Sequence, residues 1–136
     1  MNDLLVCSGI DVISITRIKQ ALSRDTGFKQ GIFSEGEIDY SDSKERPARF
    51  FGGRWCVKES FIKALQEMSA TESVHFDEII VGKEGGSPQL ELLGDTKRVF
   101  ERSLPSGMLS YSISISISHD EVANIASASC IIVILT

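Results

Sequence analysis

The stretch "SYSISISISHDE" (Ser110–Glu121), with "NIASASCIIVIL" (Asn124–Leu135) just behind it, decides the architecture. Serine and isoleucine alternate strictly from Ser112 to Ser118. Successive side chains of a strand point to opposite faces, so Ile113, Ile115 and Ile117 share one face and the serines the other. Isoleucine is a strong strand former, and the repeat reads as ordered strand rather than low-complexity filler. The connection "SHDEVA" is short, which predicts an antiparallel hairpin. The serine face suits close packing, including against another subunit.

Working outward from the hairpin, the rest of the chain alternates strand and helix signals. "LLVCSGIDV" (Leu4–Val12) reads as a first strand ending at Gly9. Ile15, Ile18 and Leu22 then mark an amphipathic helix that Gly27 closes. Ser34 is an N-cap with Glu37 as its capping-box partner, and Phe33 with Ile38 forms a hydrophobic staple. Pro47 starts the longest apolar helix, Ala48–Met68. Phe51, Trp55, Ile62 and Leu65 form one of its stripes; Phe50, Val57, Phe61, Ala64 and Met68 form a second. A face that wide predicts a largely buried helix. Gly52–Gly53 cost helicity and point to close approach of backbone or ligand. "FDEIIVG" and "PQLELLG" read as strands around the turn "KEGGSP". "DTKRVFERSL" reads as a helix with Asp95 as N-cap. The expected fold is α+β: one domain over residues 1–136, with one long buried helix packed on a mostly antiparallel sheet.

The 136 residues carry 42% hydrophobic and 24% charged residues, a globular composition. No apolar run has the roughly 18 residues that a membrane helix needs. The start "MNDLLVCSGID" lacks the basic region of a secretory leader. Cys7, Cys56 and Cys130 are odd in number and sit among apolar neighbours, as buried free thiols of a reducing cytoplasm do. A net charge of −5 argues against general nucleic-acid binding. The charge is uneven, however. Arg17, Lys19, Arg24 and Lys29 face only Asp25 locally, which makes either a solvated helix face or a docking patch for an acidic partner.

Three places hold polar residues that a core does not request. Asp11 lies between Ile10 and Val12, where burial without a partner is expensive. It either caps the following helix or serves as a hard-metal ligand. On the long helix, Glu59 and Lys63 are spaced i, i+4, as in a surface ion pair. Arg54 and Lys58 are also i, i+4 but both cationic, which favours an anion between them. Together the four suggest a surface for phosphate and metal. His119 ends the Ile/Ser strand, as a turn residue or as a ligand delivered to a site. His75 has no motif context and takes no role.

In order and spacing, "GIDVISITRI", "IFSEGEID", "RFFGGRWCVKESFIKAL", "GGSPQLELLG" and "SISISHDE" resemble the holo-acyl-carrier-protein synthases, the small bacterial type of 4′-phosphopantetheinyl transferase. The resemblance implies transfer of the phosphopantetheine arm of coenzyme A to a serine of apo acyl carrier protein, in fatty acid biosynthesis. It implies dependence on Mg²⁺, release of adenosine 3′,5′-bisphosphate, and a cytoplasmic homotrimer with sites between subunits. Asp11 and Glu59 match the magnesium ligands. Glu59 also matches the group that helps activate the serine, and Lys63 the lysine beside the pyrophosphate. Arg54 and His119 match contacts to the nucleotide end of coenzyme A, with His119 coming from the neighbouring subunit. Lys58 is grouped with them as a coenzyme A contact. Arg17 and Arg24 match the cations that meet the acidic carrier. Three positions depart from the family pattern: Ser14 stands where an acid is common, Gln66 where a glycine is usual, and Ser87 in place of a lysine. The alternatives are a non-catalytic module that binds coenzyme A or carrier protein, and a Mg²⁺-dependent nucleotide hydrolase.

Overall fold

The structure, a computed structural model, describes residues 2–24, 26–68, 70, 72–84 and 86–136. Strand β1 covers Leu4–Ser14, followed by helices α1 (Ile15–Arg24), α2 (Thr26–Ile32), α3 (Glu35–Asp42) and α4 (Pro47–Glu67). A short 3₁₀ turn at Phe76–Glu78 leads into β2 (Ile79–Glu84) and β3 (Ser87–Leu92). Helix α5 (Gly94–Ser103) and the strands β4 (Ser110–Asp120) and β5 (Ile125–Leu135) complete the chain. Among the described residues strand pairing is antiparallel, but it forms two sheets rather than one: β1-β5-β4 and β2-β3.

The terminal hairpin forms as its alternation predicts. Ile113 pairs with Ile132, Ile115 with Cys130 and Ile117 with Ala128. The isoleucines of β4 turn toward the core, while the β4 serines are exposed. Helix α4 lies across β1 and β5. Its Phe51, Cys56, Val57, Phe61 and Ala64 are fully buried. A Cβ on Gly53 would stand 2.8 Å from Ile117 Cγ2, so the glycine pair serves close approach to the sheet. All three cysteines are free and buried. No helix among the described residues is long and apolar enough to cross a membrane.

Four local expectations need correction. β1 does not end at Gly9 but runs on to Ser14, so Asp11 is a mid-strand residue and not a helix cap. The first turn of α1 is served instead by Ser14 Oγ, which accepts from Arg17 N at 3.3 Å, and by Asn124. Asn124 takes Ile15 N on its carbonyl and Thr16 N on its side chain. Gly27 does not close a helix; it lies inside α2. Asp95 does not cap α5. The cap comes from outside the helix, where the Glu78 carboxylate accepts Asp95 N at 3.2 Å and Thr96 N at 3.0 Å. Gly85, in the expected β2–β3 turn, and Asp25, the acid within the basic patch, lie outside the described residues.

Gly9 earns its place in the middle of β1. A Cβ there would meet Lys63 Cβ at 2.9 Å and the Ser60 carbonyl oxygen closer still. Gly9→Ala is therefore expected to destabilise the protein by about 1–3 kcal/mol, as overpacking does, measured as a lower urea midpoint with unchanged slope.

Candidate active site

The crossing of α4 over β1 creates the first part of the site. Asp11 points toward the helix, and Lys63 Nζ reaches it at 3.2 Å while also donating to the Ile10 carbonyl at 2.8 Å. The i, i+4 ion pair expected between Glu59 and Lys63 is replaced by this longer-range one. Glu59 sits one turn before Lys63. Burial pushes its carboxyl above the ordinary range, Asp11 nearby pushes it the same way, and Lys63 opposes. Two carboxylates and an ammonium thus share one corner. Among the described residues no group of three or more His, Cys, Asp or Glu is placed to hold a metal ion. Two oxygen-donor carboxylates are the protein share of a typical Mg²⁺ site, which takes its other ligands from water and substrate phosphates. The donor set fits that ion. Burial, and secondarily Asp11, pushes the Cys56 thiol up to about 12, so this neighbour is a neutral packing group and not a nucleophile.

A second part lies elsewhere on the chain. A cavity of about 440 Å³ is lined by Arg49, Arg54 and His119 with the rings of Tyr40 and Phe50, and by Ser87 and Pro88 at the start of β3. Arg54 is only 6% exposed. Its guanidinium stacks over Tyr40 at 4.4 Å, and its Nε has no partner. Burial lowers its pKa from the ordinary arginine value. The His119 ring lies 5.9 Å from that of Phe50. Asp11, Glu59 and Lys63 do not line this cavity. Within one chain the cavity and the acidic corner are therefore two separate places. Tyr40, Arg49 and Phe50 escaped the sequence reading, because nothing in the spacing of α3 and α4 says which residues share a wall.

Lys58 is a correction. It does not face a ligand, being fully buried. Its three ammonium protons go to Glu37 Oε1 at 2.8 Å, Phe76 O at 2.8 Å and Ile79 O at 2.6 Å. The anion that the Arg54/Lys58 spacing called for is Glu37, part of the protein itself. Glu37 also accepts from Ser34 N and Val81 N, so one carboxylate ties α3, α4 and β2 together. Burial pulls the pKa of Lys58 down, while Glu37 opposes that shift.

Arg17 and Arg24 are exposed on α1. Neither has an ion-pair partner among the described residues, whereas Lys29 is held by Asp42 at 2.9 Å. The basic patch is thus Arg17, Lys19 and Arg24.

The model of the 4′-phosphopantetheinyl transferase superfamily matches residues 8–117. The chain belongs to the holo-acyl-carrier-protein synthase family within it. The holo-[acyl-carrier-protein] synthase of Clostridium acetobutylicum is 33% identical over 121 residues, 88% of this chain and 92% of that protein. The ACPS–CoA complex of Chronobacterium ammoniagenes superposes with a TM-score of 0.79 at 26% identity, covering 94% of this chain and 96% of that one. The Helicobacter pylori holo-[acyl-carrier-protein] synthase in complex with coenzyme A gives 0.69 at 28% identity, covering 90% and 96%.

Proposed function

We propose that the protein transfers the 4′-phosphopantetheine arm of coenzyme A to a serine hydroxyl of apo acyl carrier protein, releasing adenosine 3′,5′-bisphosphate. The observation that carries this reading is the corner formed by Asp11, Glu59 and Lys63 at the α4–β1 crossing. Asp11 and Glu59 would hold Mg²⁺, which when bound neutralises pyrophosphate charge. Phosphoryl transfer needs mainly positioning and neutralisation. Glu59, whose carboxyl binds a proton more readily than an exposed glutamate, takes the proton of the attacking serine directly or through one water. Lys63, held by the Ile10 carbonyl and Asp11, would neutralise the departing phosphate. Arg54 offers an unspent Nε, and His119 an imidazole, to the nucleotide end.

A homotrimer would bring the cavity of one copy to the acidic corner of the next, with the neighbouring copy's His119 completing each corner. What supports this is the outer face of the β1-β5-β4 sheet, where Ile10 is 70% and Val12 61% exposed and Ser129 and Ser127 of β5 link them to the β4 serine row. An acidic enzyme meets an acidic carrier through Arg17 and Arg24. Arg17→Glu should raise the carrier KM by about tenfold, the equivalent of 1.4 kcal/mol, and leave the coenzyme A KM within about twofold. Steady-state kinetics with each substrate varied in turn checks this, and equal effects on both would contradict the docking role.

A further inference from the structure

Glu121 lies in the turn between β4 and β5, two residues beyond His119. Its carboxylate bridges two arginines at the start of α4, with Arg46 Nη1 at 3.8 Å and Arg49 Nη1 at 3.7 Å. Neither contact is at hydrogen-bond distance, whereas a well-formed arginine–carboxylate pair closes to about 2.7–2.9 Å. The arginines therefore keep most of their donor capacity. The Nε of Arg49 is buried and has no partner. Arg49 also stands between two cavities. It lines the 440 Å³ cavity with Arg54 and His119, and a neighbouring one of about 590 Å³ with Arg46 and Glu121. An incoming phosphate near His119 thus meets a guanidinium already shared with a loosely placed carboxylate.

We propose that Glu121 is an internal competitor for the donor nucleotide: its carboxylate holds Arg49 in the free protein and yields it to a phosphate group of the bound ligand. The proposal rests on the transferase reading for the identity of that ligand. A phosphate has more charge and more acceptor oxygens than a carboxylate, and it matches the guanidinium fork in two-point contact. It wins the exchange, but part of its binding energy goes into displacing Glu121. Glu121 thereby weakens the hold on donor and on nucleotide product alike.

The sign of the effect makes the test sharp, because removing a charge beside the site should tighten binding. Calorimetric titration with coenzyme A at one fixed ionic strength should give a Kd about three- to tenfold lower for Glu121→Gln, the scale of a partly exposed ion pair. Arg49→Ala should raise Kd, and Glu121→Gln in the Arg49→Ala background should bring no gain. Glu101→Gln makes the same change of charge on α5, outside both cavities, and should leave Kd unchanged. An unchanged or higher Kd in Glu121→Gln overturns the proposal. So does a gain that survives the loss of Arg49, or one that Glu101→Gln reproduces. If the unaltered protein binds coenzyme A and only these differences fail, the transferase reading stands without the proposal; if it binds none, both fall.

Discussion

Glu59→Ala will reduce phosphopantetheine transfer by at least about 10²–10³-fold, the scale on which a preorganised charge acts in a transition state. The reason is local. Asp11 and Glu59 are the two acids of the corner, and Lys63 is already committed to Asp11 and the Ile10 carbonyl. Without Glu59 one carboxylate remains, and the proposed acceptor of the serine proton is lost. The fold should survive, because the Glu59 carboxylate is held up in pKa by burial and by like charge. Relieving that repulsion does not destabilise. The check is a rate measurement beside a denaturation curve on the same sample. Full activity would sink the assignment of Glu59, and an unfolded variant would contradict its purely functional role.

Glu37→Ala carries the largest expected effect on stability, about 3–5 kcal/mol, because it strands a buried ammonium. Lys58 and Glu37 have side chains 0% and 1% exposed. Removing the carboxylate leaves Lys58 with two carbonyl partners and no counter-ion, and it also unpairs Ser34 N and Val81 N. A loss of this size is a large fraction of the 5–15 kcal/mol that holds a domain together. Tm should fall by roughly 10–20 °C. The double variant Glu37→Leu/Lys58→Met should recover a good part of the loss, since an apolar pair avoids desolvation altogether. A Glu37→Ala midpoint within about 1 kcal/mol of the parent would mean that the pair is not the hub its geometry describes.

Periodicity and capping chemistry made most of the elements legible. The Ile/Ser alternation placed β4 and its turn, and the Ser34/Glu37 capping box formed as read. What failed were judgements that needed a partner distant in sequence. Asp95 looked like an N-cap, but Glu78 from another segment performs that task. Lys58 looked like a ligand contact because its only charged neighbour at i±3 or i±4 was another cation. Its true partners, Glu37, Phe76 and Ile79, are set by the tertiary packing of α3, α4 and β2. The separation of His119 from Asp11 and Glu59 was expected from the resemblance alone, since spacing along a chain does not report which cavity a side chain enters. The resemblance implies their roles; the geometry puts Asp11 and Lys63 at the α4–β1 crossing and Arg54 and His119 in the cavity.

The most direct test of phosphopantetheine transfer is the mass of an apo acyl carrier protein after incubation with this protein, coenzyme A and Mg²⁺. A carrier heavier by one phosphopantetheine arm, with no gain when Mg²⁺ is chelated, is the predicted result. An unchanged carrier would contradict it, and so would coenzyme A cleaved without any gain in carrier mass.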